Sequence, residues 1–539
     1  MKKTIQKLMA VLLAAAMVCA MAIPAFADTE GDITTWHSFS AFQIFTGDVE
    51  GNDIDDFKIS NADWGQSIAA DYKNFLAQLK EDTTLRDEFK DATTVQDVLA
   101  VISTWNNSDD NSIAFARFVC HYLYPTADAN PTPTVTGGSS HITFNQAGYY
   151  LIVDTTDFSK GDSDHHACNS FLLKVTKANY NIDITPKAEK PSVKKEVFDN
   201  HDGTSNTEGF SSSADHAINE PFQFKLTATL PASYDNDHAY DYYKYYKVVF
   251  SDTMSEGLTF DEIESVTIKS GSATKTLTDS DYEYTSKPTT NSFELAISDV
   301  KTLVANLNSG AEITVLYKAH LNEKAYVNTV TNGDTKNTNK VYLTYSNNPR
   351  INTSVGRTPE SEVRVYTYQL NNTKYKNSVA DENKLEGAGF RLYSGAACND
   401  EQEIKLKKNT TDGTYSRYFG DGAGEQMFSD DKGQFNVKGL DAGTYYLKET
   451  STPTGFNTCP VTTVVIKANH TENNVDLNGS TINGEGVGAS GLSTTIVNKQ
   501  GTTLPSTGGM GTTLFYVIGG GLMVAAIVLL VTKKRMENK

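Results

Sequence analysis

Lys187, Lys190, Lys194 and Lys195 crowd into one stretch, ITPKAEKPSVKKEV, of a chain that is otherwise strongly acidic. Lysines are usually solvated, but two features set some of these apart. In a strand over Val193–Val197, residues 193, 195 and 197 face one side, so Lys195 points toward the apolar side and Lys194 away from it. The same period-two rule places Val248, Phe250 and Asp252 of VVFSDT on one face, and Val341, Leu343, Tyr345 and Asn347 of VYLTYSNN on one face. An amine, a carboxyl and a carboxamide are thereby expected to meet in an apolar core. Lys194 and Asn348 are the adjacent alternatives. A second set repeats the pattern, with Leu370, Asn372 and Lys374 alternating on one strand, Tyr445, Leu447 and Glu449 on another, and Ile496 and Asn498 on a third. Burial lowers the pKa of a lysine and raises that of a carboxyl, so a neutral amine can sit beside a neutral acid. That pairing suits nucleophilic attack on an amide with the acid moving the proton. The other lysine of interest, Lys187, lies in Thr185-Pro186-Lys187, where proline stiffens an exposed junction. Lys190, three residues on, is its rival.

The elements that position these residues are mostly strands. FSAFQIFTG, AGYYLIVD, PFQFKLTATLP, AEITVLYKAHL, GTYYLKET and STTIVNKQ carry aromatic and β-branched residues bounded by turn signals. Between the first two strands, Trp64 to Thr104 predicts helix, with Ile68, Tyr72, Phe75, Leu76 and Leu79 at three- and four-residue steps. No lysine–carboxyl–carboxamide set appears in this first part, and no internal cross-link is expected there.

The ends of the chain imply export and anchoring. Lys2, Lys3 and Lys7 precede an apolar run and Ala25-Phe26-Ala27, the pattern of a cleaved signal peptide over residues 1–27. At the other end Leu504-Pro505-Ser506-Thr507-Gly508 directly precedes an uncharged run to Thr532 and the basic Lys533, Lys534 and Arg535. The run matches the ~20 residues a membrane helix needs, and the basic tail should stay cytoplasmic. The 480 residues between Asp28 and Thr507 are enough for about three domains. Processing takes the formal charge from −19 to −25, which argues against nucleic acid or an anionic membrane as partner. Cys120 with Cys168, and Cys398 with Cys459, are possible disulfides in an exported protein. No Cys/His spacing suggests a metal, no cofactor is implied, and no hydrolase or P-loop motif appears.

The terminal motif resembles the sorting signal of Gram-positive surface proteins. YYLKETSTPTGF is similar to the E-box of Gram-positive pilins, and KLEGAGFRLY resembles the early strand of their CnaB-type sandwich. KPSVKKEV, FSDTMSEGLTF and LTYSNNP resemble the CnaA-like middle domain of sortase-assembled backbone pilins. The resemblance, to SpaA/FimA-like major pilins, implies a mainly β fold of tandem Ig-like (CnaA/CnaB-type) sandwiches, with a helical insertion in the N-terminal domain. Strand and turn signals divide the chain into residues 28–186, 187–355, 356–503 and 504–539, which the resemblance makes an N-terminal domain, a CnaA-like domain, a CnaB-type domain and the sorting region. It further implies autocatalytic Lys–Asn isopeptide bonds, Lys195 to Asn347 with Asp252 as proton shuttle and Lys374 to Asn498 with Glu449. A pilus-dedicated sortase would cut after Thr507 and join it to Lys187 of the next identical subunit, peptidoglycan being the final anchor and minor tip or base pilins further partners. The protein would then be a structural subunit and not an enzyme. A wall-anchored monomeric adhesin is the alternative.

Overall fold

The computed structural model describes residues 37–537 apart from 52–56, 106–109, 127–128, 138–140, 157–169, 179, 184–189, 201–208, 232–239, 241–242, 244, 305–309, 329–335, 351–352, 489–490 and 502–510. The signal peptide, Lys187, Cys168 and Leu504–Gly508 lie outside these residues. The chain divides into two compact units. One takes the described residues up to Gln369 together with Lys438–Gly443 and Ile466–Ser480; the other takes Leu370–Val437, Thr444–Val465 and the residues from Thr481 onward.

The first unit begins with a sheet ordered Lys58–Trp64, Phe39–Glu50, Gly148–Asp154 and Phe171–Val175. Phe42, Phe45 and Leu151 on this sheet pack with Phe75, Phe89, Phe115 and Val119 from the helices over it. The expected helical stretch is broken differently from its periodicity. Trp64 is a strand residue paired with Phe45, and helix starts only at Tyr72–Glu81, followed by Arg86–Phe89 and Val95–Ile102. Local side chains punctuate the run. Asp82 Oδ1 accepts from the Thr84 and Leu85 amides, and Thr94 and Asp97 form a capping box that starts the third helix. A further helix, Asp110–Leu123, was not evident from the sequence pattern.

The same unit contains a sandwich of two mainly antiparallel sheets. One is ordered Ser213–Asp215, Ser361–Tyr366, Thr338–Ser346, Val248–Met254, Ser292–Ile297, Glu283–Lys287; the other Ala273–Thr276, Leu258–Ser270, Glu312–Leu321, Pro221–Thr229, Ser192–Asp199, Gly209–Ser211. Strict alternation explains the packing. In Glu312–Leu321 every second residue is buried, and Ile313, Val315, Tyr317 and Ala319 enter one core with Phe224, Phe250, Leu295 and Leu343. Val355–Arg357 and Ser361–Tyr366 pair with Thr338–Ser346, so this sandwich continues past residue 355, where the sequence pattern ended it. Asn291 closes the turn before one strand in a left-handed conformation (φ +47°). Its amide donates to the carbonyls of Met254, Ser255 and Leu258.

In the second unit, strand Tyr368–Lys376 runs parallel to Ser493–Asn498, while Gly389–Tyr393 and Gly443–Ser451 pair antiparallel in the other sheet. Phe390 and Phe435 stack with ring centroids 4.3 Å apart. A long helix, Gly511–Glu537, follows near the C-terminus, and its Val517–Met536 portion is apolar and long enough to cross a membrane.

The carboxamide of Asn291 satisfies three carbonyls that an alanine leaves bare, and alanine is also poorly suited to positive φ. Asn291→Ala is expected to destabilise the sandwich by about 2–4 kcal/mol, measured as a lower unfolding midpoint in urea; an unchanged midpoint would count against this turn as a structural clamp.

Candidate functional site

Period-two alternation puts Lys374, Glu449 and Asn498 into one core, and all three are buried. Lys374 lies opposite Ile496 and Lys376 opposite Asn498 in the parallel pair, so Lys374 reaches diagonally to the carboxamide. Its Nζ stands 2.5 Å from Asn498 Oδ1 and 3.7 Å from Glu449 Oε1. Asn498 Nδ2 donates to Glu449 Oε1 at 2.7 Å, and the Cys459 amide donates to Glu449 Oε2 at 2.8 Å. The amine also lies 5.3 Å from the centroid of Phe390. Burial lowers the lysine pKa, opposed by Cys459 and Glu449. An amine whose pKa burial lowers, an amide carbonyl and a carboxyl are thus in mutual reach.

The sandwich of the first unit holds a related cluster, with one correction to the sequence expectation. Lys195 and Asp252 are fully buried and their Nζ and Oδ2 are in direct contact. Lys195 Nζ also donates to the hydroxyl of Tyr317 at 2.8 Å, and that hydroxyl donates to Asp252 Oδ2 at 3.1 Å. The carboxamide beside them belongs to Asn339, whose Nδ2 donates to Tyr317 at 2.6 Å. Asn339 Oδ1 and Asp252 Oδ1 are buried without hydrogen-bond partners among the described residues. Asn347 is buried elsewhere, its Oδ1 accepting from Ser354 Oγ at 2.6 Å, and Asn348 accepts from the Arg350 amide.

Strand register explains the difference. Val341 lies opposite Asp252 and Tyr345 opposite Val248. Asn347 is therefore six residues beyond the Asp252 position, on the order of 20 Å along the strand. Asn339 is only two residues from it. Both asparagines satisfy the alternation, so facing alone does not separate them. Lys194 is exposed and pairs with Glu196 at 2.7 Å, as the alternation requires.

Electrostatics in this cluster follow from dryness. Burial brings the Lys195 pKa down from 10.5 to about 8 against the opposing pull of Asp252. Burial raises the Asp252 carboxyl, opposed by Lys195 and Tyr317, and carries the Tyr317 hydroxyl well above its ordinary value. Tyr317 touches the amine, the acid and the carboxamide at once, a fourth member that the strand pattern alone did not single out.

Of the two possible disulfides, Cys398–Cys459 is not formed in this structure, and Cys120–Cys168 involves a residue outside the described ones. Cys398 and Cys459 are free thiols. Cys398 is held in a tight turn by the hydrogen bond its backbone N–H donates to Gly395 O, whereas Cys459 sits against Glu449 and Lys374, its thiol pushed up to about 11 by burial. Cys120 is also free, with Ser170 Oγ donating to its Sγ at 3.4 Å.

Three family models match parts of the chain. Residues 234–349 match the Gram-positive pilin backbone subunit 2, Cna-B-like domain, a different class from the CnaA likeness of the sequence reading. Residues 370–481 match the SpaA prealbumin-like fold domain, and residues 496–538 match the LPXTG cell wall anchor motif. No curated protein matches the chain. Among solved structures, the group B streptococcus pilus 2b backbone protein is 22% identical over 58% of this chain and 99% of its own, with a TM-score of 0.39. The T6 backbone pilin of Streptococcus pyogenes is 15% identical over 86% and 96%, with a TM-score of 0.43. The major pilin SpaD of Corynebacterium diphtheriae is 18% identical over 66% and 80%, with a TM-score of 0.38. At these values the structural likenesses carry no argument about function. The anchor match and the apolar helix indicate a cell-wall-anchored surface protein that is held transiently in the membrane.

A lysine whose folded pKa is depressed binds fewer protons folded than unfolded. Stability therefore rises with pH from about 8 toward 10.5. In an Asn339→Ala chain, which keeps the free amine, the thermal midpoint of the sandwich should rise between pH 8 and pH 9.5; a flat or falling midpoint would contradict a desolvated amine.

Proposed function

We propose that the chain is the shaft-forming subunit of a covalent surface pilus, its sandwiches locked by internal Lys–Asn amide bonds. The observation that carries this reading is the dry grouping of an amine, a carboxamide and a carboxyl in each of two sandwiches. The pilin-backbone match supports a pilus subunit, and the LPXTG match supports export to the wall.

The chemistry needs no outside reagent. The neutral Lys374 amine attacks Cγ of Asn498, forming a C–N bond. Glu449, hydrogen-bonded to the carboxamide nitrogen, takes up the proton that the attacking amine gives off and delivers one to the departing nitrogen. The old C–N bond breaks and ammonia leaves. In the other sandwich Lys195 attacks Cγ of Asn339, Asp252 moves the proton, and Tyr317 aligns all three groups. Each closure turns over once, so this is self-modification without a catalytic cycle. The bond between Lys374 and Asn498 joins neighbouring parallel strands near the two ends of the domain. The bond between Lys195 and Asn339 ties one sheet to the other. Tension on such a chain loads covalent bonds before it can peel a hydrogen-bond ladder.

Polymerisation is assigned to the sorting motif and the Pro-stiffened lysine. A sortase cysteine cleaves between Thr507 and Gly508 and holds Thr507 as a thioester. Lys187 of the next subunit attacks it, forming an amide and releasing the sortase. Minor pilins and peptidoglycan are the remaining partners of this scheme.

Two measurements follow. Intact mass of the purified chain should fall two ammonia losses below the sequence mass; Asn339→Ala should restore one and Asn347→Ala none, whereas a mass unchanged by Asn339→Ala would return the assignment to another residue. In the native cell wall, Lys187→Ala should remove the ladder of covalent multimers in denaturing gels, and ladders of normal length would exclude Lys187 as the linking amine.

A further inference from the structure

A second buried polar cluster lies in the first unit. Asp199 ends the strand Ser192–Asp199, Asp215 ends the strand Ser213–Asp215, and His470 comes from the short hairpin Asn469–His470 with Val475–Asp476. All three are buried, with exposures of 1% or less. His470 Nε2 stands 3.1 Å from Asp199 Oδ2 and 3.4 Å from Asp215 Oδ1, and the three potential ligand atoms lie within 4.8 Å of one another. On its other side His470 Nδ1 is bonded to Ser213 Oγ at 2.9 Å.

We infer that Asp199, Asp215 and His470 bind a first-row divalent cation, zinc or manganese, that fastens the hairpin carrying His470 to the neighbouring strands. Three observations support it. First, two buried carboxylates face one imidazole. Two carboxylates and a neutral imidazole match the charge of one divalent ion. Second, Asp215 Oδ2 is buried with no hydrogen-bond partner among the described residues, so an acceptor stands ready for a cation. Third, the spacing fits. Metal–ligand bonds of about 2.0–2.2 Å at tetrahedral to octahedral angles separate ligand atoms by about 2.8–3.6 Å, a range that includes both His–Asp separations. The Ser213 contact can supply the orienting bond typical of a metal-bound histidine: with a cation present, Nδ1–H would donate to Oγ and leave the Nε2 lone pair for the metal. The buried Tyr368 hydroxyl lies beside Asp215 as a further oxygen. The imidazole suits zinc and the two carboxylates suit zinc or manganese, whereas calcium and magnesium prefer oxygen alone.

Binding should be measured on the full chain in detergent, stripped with chelator and titrated with zinc or manganese alone. One equivalent of one of these metals should remain after gel filtration by elemental analysis, with the thermal midpoint raised by several degrees. Asp215→Asn, close in shape, should lose that equivalent, and Ser213→Ala should weaken binding about tenfold. Retention of no stoichiometric metal, or retention unchanged in Asp215→Asn, would overturn the assignment. These readouts are independent of the ammonia loss and the gel ladders, so this site and the isopeptide reading fail separately.

Discussion

A lysine amine taken out of water is the constraint on which both sandwiches turn. An isolated buried ammonium is too costly to keep. Lys195 meets that cost with a carboxyl, a tyrosine hydroxyl and a neighbouring carboxamide, and Lys374 with a carboxamide and a carboxylate. Desolvation is also what makes the amine nucleophilic. The same burial that would destabilise a permanent charge would favour its removal in the proposed amide formation, which would leave a neutral, hydrogen-bonding group in its place. The stability cost and the reactivity are two readings of one dielectric effect.

That requirement explains why these side chains sit on strands facing a core. Alternation holds each reactive group at a fixed depth, and cross-strand register brings them within reach. The Tyr317 hydroxyl satisfies three polar groups that have no water to turn to. Glu449 is fixed in the other core by the Cys459 amide. Pre-set hydrogen bonds of this kind would let the proposed reaction proceed without reorganising solvent.

Much of this was legible from a period of two. Lys195, Asp252, Lys374, Glu449 and Asn498 face inward as the alternation requires, and Lys194 faces out. Asn347 shows where that rule stops. It shares a face with Asn339, and only pairing with the Val248–Met254 strand, a tertiary fact, selects between them. Trp64 misled for a similar reason, its place set by pairing with Phe45 rather than by the helical pattern downstream. Asp199, Asp215 and His470 carry no local signature at all, because their meeting depends on a hairpin more than 250 positions from the strands it joins.

The most direct test is peptide mapping of the folded chain by tandem mass spectrometry. The account predicts two branched species, one joining the Lys195 and Asn339 peptides and one joining the Lys374 and Asn498 peptides, each short of one ammonia. Recovery of all four peptides as separate linear species, with both lysine amines free, would contradict it.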